Sequence, residues 1–152
     1  MAIKIKYIKQ FTKEYKDFII VLSKLSELKN IDNLPFNTKL LYKNQTLEKN
    51  LDENHYYESY VESNNGNFFY KIKLLLLKTS SKDKVIFDGA NLFGKFNKNS
   101  NKDLNFIFSS KLLNNYNKLC SDFIFGLLLK DYSFVKYKKE NNAFKIESIN
   151  IF

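Results

Sequence analysis

Apolar and charged residues alternate at the start of the chain. Ile3, Ile5 and Tyr7 are separated by Lys4 and Lys6, a period of two that predicts a strand with one wet face. Asp17 then opens the unbroken run Phe18-Ile19-Ile20-Val21-Leu22, whose branched residues suit a strand covered on both sides. From 24 to 49 the pattern breaks up around Pro35, where Asn33 and Asn37 mark a loop. Asn50 and Glu53 form a capping pair for a helix that places Tyr56, Tyr57, Tyr60 and Val61 on one side. Asn64-Asn65-Gly66 ends it, because Asn and Gly tolerate left-handed backbone. Residues 68 to 78 read as a strand closing on the run Leu74–Leu77, and Ser80-Ser81-Lys82-Asp83 turns the chain into a short strand at Val85-Ile86-Phe87. A polar loop over 97–102 leads to a strand at 104–108.

The clearest helix covers 111–131. Leu112, Tyr116, Leu119, Cys120, Phe123, Ile124, Leu127 and Leu128 recur at steps of three and four, and Ser109 or Ser110 can cap its start. Gly126 inside it costs about 1 kcal/mol against Ala, so the position predicts close approach of a neighbouring element. Lys145 to Phe152 alternates and predicts a last strand. Helices and strands interleave, which defines an α/β class: a mixed β-sheet flanked by helices, in one domain over 1–152.

A chain of 152 residues with 44% apolar composition can remove roughly 70% of its unfolded surface from water. All 25 basic residues are Lys; Arg and Trp are absent, and Asn, Ile, Phe and Tyr are heavily used. A/T-rich codons produce that bias, so the net charge of +9 reads first as a solvated surface. A weak, salt-sensitive contact with nucleic acid is its second reading. One Cys, Cys120, excludes an internal disulfide and a Cys-based zinc site; on the apolar helix face it is expected to pack as a small hydrophobe. The opening MAIKIKYIKQ has no apolar signal-peptide core, and no window holds 18 uninterrupted apolar residues. The expectation is a soluble, cytoplasmic protein with no membrane contact.

Residues able to carry chemistry are few. His55 is the only histidine, so no His-rich metal site can form. Asp52, Glu53, Glu58 and Glu62 fall on the same predicted helix and read as a solvated face. Asp88-Gly89-Ala90-Asn91 followed by Gly94-Lys95 is a Gly-containing stretch after a predicted strand, without the Ser or Thr of a Walker loop; a tight turn is the expectation, with a backbone-amide phosphate cradle as the alternative. Tyr132, Phe134, Lys136, Tyr137, Lys138 and Lys139 have the composition of a single-stranded nucleic-acid surface. Alternation, however, would place aromatics on both sides, which favours packing, and without Arg specific base reading is not expected. No catalytic, cofactor-binding or metal-ligating residue is assigned.

The passage Asp122 to Lys138, DFIFGLLLKDYSFVKYK, resembles the end of the N-terminal domain of the cytosolic dizinc leucyl aminopeptidases. There a long helix finishes in a small residue followed by Leu-Leu and then a string close to YRFDKYKT. Here Gly126-Leu127-Leu128-Leu129 precedes Tyr132 to Lys138, with Ser133 at the usual Arg and Val135 at the usual Asp. The resemblance is specific over about 110–152 and implies a macro-domain-like fold. It also implies that the two divalent metal ions of the family belong to a catalytic domain expected after Phe152. The family's metal-holding strings, such as one close to NTDAEGRL, do not occur in these residues. The expectation is therefore a non-catalytic domain without cofactor, acting in oligomer assembly or regulation. Its partner would be an aminopeptidase catalytic domain or further copies of itself.

Overall fold

In the computed structural model, residues 3–12, 14–38, 41, 45–77, 81–97, 99–109, 112, 117–137 and 144–152 are described. The elements are β1 (Lys4–Tyr7), β2 (Asp17–Leu22), a 3-10 helix (Leu25–Asn30), α1 (Gln45–Asn54), β3 (Tyr56–Glu62), β4 (Phe69–Leu76), α2 (Lys82–Phe93), β5 (Asp103–Phe108), α3 (Asn117–Tyr137) and β6 (Ser148–Ile151). They form an α/β single domain around one six-stranded mixed sheet in the order β1-β6-β5-β2-β4-β3. Every neighbouring pair is parallel except β3 and β4.

The central strands are those with continuous apolar runs. In β2, Phe18 to Leu22 are all buried, and in β5 everything from Leu104 to Phe108 is. Side chains of opposite parity feed two cores. Ile19, Val21, Leu75, Phe106 and Phe108 face α2 and α3, whereas Phe18, Ile20, Leu22, Ile72, Leu74 and Leu76 face Leu28, Phe36 and α1. The second core is rich in rings: Phe18 lies edge-on to Phe11 and Phe152, which are themselves stacked 5.0 Å apart.

Three expectations are corrected. The helix expected over 51–63 behind an Asn50 cap is α1, which begins at Gln45, so Asn50 lies inside it and caps nothing; it stops at Asn54, and Tyr56 to Glu62 is a strand. His55 causes the break: at φ 57° it turns the chain out of α1, a left-handed conformation that His adopts more readily than branched residues do. Beyond it, Glu58 lies opposite Lys73 in the antiparallel register and 3.2 Å from Lys71, an opposite-charge pairing that favours strand. Asn64-Asn65-Gly66 therefore closes a hairpin, not a helix. Gly66 sits at φ 74°, and the Ser63 hydroxyl donates to Asn65 Oδ1 at 2.6 Å while accepting the Asn67 N–H at 3.2 Å.

The second correction concerns Val85-Ile86-Phe87, which is the middle of α2. Val85, Gly89, Leu92 and Phe93 form its buried face, so a period of about 3.6 overrides the local β preference of three residues. The third is the reach of the long helix, which continues to Tyr137. Tyr132 to Tyr137 is helical, and the two-sided alternation drawn for it does not arise; Lys138 and Lys139 lie outside the described residues. No Gly or Pro stands between Leu127 and Tyr137 to stop the helix. Asp131, buried near its end, accepts the Ile146 N–H at 3.0 Å and ties α3 to the approach of β6.

Cys120 is buried against the α2–α3 side of the sheet, as expected of it. Burial pushes its thiol up to about 11, so almost no thiolate exists at neutral pH. Alkylation by iodoacetamide should proceed only as fast as the protein opens, and should become rapid in denaturant. Fast labelling of the folded protein would contradict this packing.

Candidate functional site

Residues 122–137 lie on α3, which packs against α2. Gly126 faces the backbone of Ile86, and an added Cβ would stand 2.7 Å from the Ile86 carbonyl carbon and 2.9 Å from its Cα. Gly89 meets the backbone of Phe123 and Leu127 in the same way. Two glycines thus let two helix backbones touch, which is the close approach expected at Gly126. Gly89 serves this contact and not the turn expected of it, because 88–91 is helical. Phe123 and Leu127 point inward and are fully buried. The other side of α3 carries Phe125, Leu129 and Tyr132 at i, i+4 and i+7, exposed by 53, 48 and 63%, and α2 adds Phe87, exposed by 64%. Apolar residues spaced this way make a stripe along one helix face.

The largest cleft among those described encloses about 770 Å³, lined by Phe11, Asn30–Pro35, Ile107, Phe108 and Phe152 among others. It lies near the carboxyl ends of the parallel strands. There β2 leads into the elements over one face while β5 leads toward α3 over the other, which is where open α/β sheets form crevices. The strand ends are locked together by a buried carboxylate. Glu27 accepts the Ser23 N–H at 3.1 Å, both its oxygens accept the Ser23 hydroxyl, and Oε1 accepts the Ser109 hydroxyl at 3.4 Å. Ser109 in turn accepts the Leu112 N–H at 3.3 Å; the helix start it is expected to cap lies, Leu112 apart, outside the described residues. Glu27 was not singled out by sequence. The only signal was a Glu four residues after a Ser that ends a buried strand.

Two candidates that sequence treated separately come together elsewhere. His55 and the segment Asp88–Lys95 line one groove of about 500 Å³ at the carboxyl end of β4. Asp88, Asn91, Leu92 and Lys95, from α2 and its exit, line it together with Asn54, His55, Tyr56, Leu75 and Leu76. The Lys95 ammonium lies 4.3 Å from the centre of the Tyr56 ring. Burial raises the Asp88 pKa, opposed by the charge of His55. The four carboxylates expected on one helix are divided: Asp52 and Glu53 on α1, Glu58 and Glu62 on β3. Among the described residues no group of three or more His, Cys, Asp or Glu side chains is placed to hold a metal ion, and no helix is long and apolar enough to cross a membrane.

No protein-family model and no curated protein matches the chain.

Proposed function

We propose that this chain is a non-catalytic assembly domain, macro-domain-like in fold, of the kind that accompanies the catalytic domain of dizinc leucyl aminopeptidases. One observation carries the reading. The residues of the family-like stretch divide between two tasks: Gly126 and Leu127 hold α3 against α2, while Phe125, Leu129 and Tyr132 present an apolar stripe outward. The mixed sheet with helices on both faces supports the reading at the level of an α/β fold. A contiguous exposed apolar surface on a chain with 27% charged residues is the property of an interaction face. Further copies of the chain, or an aminopeptidase catalytic domain, are the partners, and a reducing cytoplasm suits the buried free thiol of Cys120.

The test is sedimentation velocity over a concentration series, with Phe125→Lys/Leu129→Lys as the comparison. The wild-type chain should associate, alone or with an added leucyl aminopeptidase catalytic domain, and the double variant should sediment as a monomer with an unchanged circular dichroism spectrum. Leucine p-nitroanilide with added zinc or manganese should not be hydrolysed by the chain. Wild-type protein that stays monomeric and ignores the catalytic domain would remove the proposal. A mobility shift of single-stranded nucleic acid that disappears with salt would favour the basic-surface reading instead.

A further inference from the structure

The hairpin between β3 and β4 turns on Asn65-Gly66, the one Asn-Gly pair in the chain. Hydrogen bonds fix what the Asn65 side chain can do. Its Oδ1 accepts the Asn67 N–H at 3.2 Å, an Asx turn that folds the side-chain amide back over the peptide nitrogen of Gly66. The same oxygen accepts the Ser63 hydroxyl at 2.6 Å. Ser63 is buried, and its own oxygen accepts the N–H groups of Asn67 and Phe68 at 3.2 and 3.4 Å. Its proton is thereby committed to Asn65, and the bonds it accepts strengthen the one it donates. Gly66, at φ 74°, has no Cβ to shield its nitrogen. The Gly66 N–H donates to the Ser63 carbonyl at 3.0 Å, a bond that an exposed turn opens at little cost.

We propose that Asn65 is a self-modification site, whose side-chain amide is exchanged for a carboxylate through a cyclic imide closed by the Gly66 nitrogen. Base removes the Gly66 amide proton, and the nitrogen adds to Cγ of Asn65. The carbonyl electrons move onto Oδ1, where the Ser63 hydroxyl and the Asn67 N–H meet the developing charge as an oxyanion hole does. The bond from Cγ to the side-chain nitrogen then breaks, and ammonia leaves with a proton from water. A second water opens the imide at either carbonyl, leaving an aspartyl or an isoaspartyl linkage at position 65. Comparable asparagines each lack a part of this arrangement. Asn101 Oδ1 accepts the Asp103 N–H at 3.0 Å in another Asx turn, but Lys102 follows it. Asn99 precedes the small Ser100, yet among the described residues its side chain receives no hydrogen bond. The change would reach beyond the turn. Asn64 donates to the Pro35 carbonyl at 3.1 Å and to the Leu34 carbonyl at 2.9 Å, and all three residues line the large cleft. An isoaspartyl linkage adds a backbone methylene beside Asn64 and would loosen that wall. The inference stands on this turn and is independent of the assembly stripe, which shares none of these residues.

Incubation of the intact chain at neutral pH in heavy-oxygen water, followed by peptide-mapping mass spectrometry, tests it. Position 65 should take up solvent oxygen at least about tenfold faster than Asn101 or Asn99, because only there do an oriented amide and an unshielded nitrogen coincide. The rate should climb with pH, as base frees the Gly66 nitrogen. Ser63→Ala should slow the exchange about tenfold, less than loss of an oxyanion donor in a closed enzyme site because the Asn67 N–H remains. Ser63→Thr keeps the hydroxyl and should restore most of the rate. Circular dichroism checks that both variants keep the wild-type fold. A position 65 no faster than Asn101 in the wild-type chain overturns the proposal, and that comparison needs no variant. A folded Ser63→Ala chain that converts as fast as wild type, or faster, also overturns it, since the hydroxyl would then be idle or would hold the amide away from the nitrogen.

Discussion

Gly126→Ala should destabilise the fold by about 3 kcal/mol, near the upper end for overpacking a tight contact. At an ordinary helix position the same change would add up to about 1 kcal/mol of stability through helix propensity, so the sign of the effect is itself diagnostic. The new methyl would meet the carbonyl carbon and Cα of Ile86 at 2.7 and 2.9 Å. Those atoms are backbone and cannot rotate aside, so α2 and α3 must move apart. Separation would open space beside Phe123 and Leu127, both fully buried, and beside Val85, adding a cavity cost to the strain. Gly89→Ala should behave alike, since its Cβ would press on the Phe123 and Leu127 backbone. The two effects should be less than additive, because one displacement relieves both contacts. Gly94→Ala is the control: its nearest neighbour would be the Asn91 carbonyl oxygen at 3.4 Å, and it should be near neutral. Urea denaturation followed by circular dichroism reads all three through the midpoint at constant slope. A Gly126→Ala protein within about 0.5 kcal/mol of wild type would mean that the helices do not touch there.

The layout of the fold was largely legible because its central strands declare themselves. Asp17–Leu22 and Asp103–Phe108 are covered on both faces and are continuous apolar runs; the helix over 117–131 has an apolar face of unbroken period. Where sequence failed, two periods coincided. Tyr56, Tyr57, Tyr60 and Val61 satisfy a helical spacing, yet alternation over the same seven residues is equally good, and only pairing with β4 decides between them. Val85-Ile86-Phe87 has strand composition, but Gly89 across from Phe123 shows that tertiary packing sets its conformation. The first error adjoins His55, whose left-handed backbone is a chain reversal without Gly or Pro to announce it. The groove was invisible because His55 and Asp88 are 33 positions apart and only the fold brings them to line one groove. The motive for Gly126, by contrast, was legible from one residue, since a helix interior keeps a glycine at a cost only where something replaces the side chain.

Glu27→Ala carries the second large effect, again about 3 kcal/mol, for a residue with no obvious sequence mark. Its carboxylate, 6% exposed, answers the Ser23 N–H, the Ser23 hydroxyl and the Ser109 hydroxyl. Bonds to a charged acceptor contribute about 1.5–3 kcal/mol each, and donors left buried without a partner add their desolvation cost. Alanine removes the acceptor from all three at once, which is why the loss exceeds that of a single bond. The damage should also be placed. Ser23 directly follows β2 and Ser109 directly follows β5, adjacent strands in the sheet, and Ser109 also receives the Leu112 N–H. Hydrogen exchange should therefore rise first at Ser23, Ser109 and Leu112, while β3 and its hairpin stay protected. Glu27→Gln restores one acceptor oxygen but turns an NH2 toward donors, so it should recover only part of the stability. Ser109→Ala, losing the long bond to Glu27 and the acceptor of the Leu112 N–H, should cost about 1 kcal/mol. If Glu27→Gln matched wild type in urea while Glu27→Ala did not, shape and not charge would hold the two strand ends together. Equal losses in both would assign the role to the carboxylate.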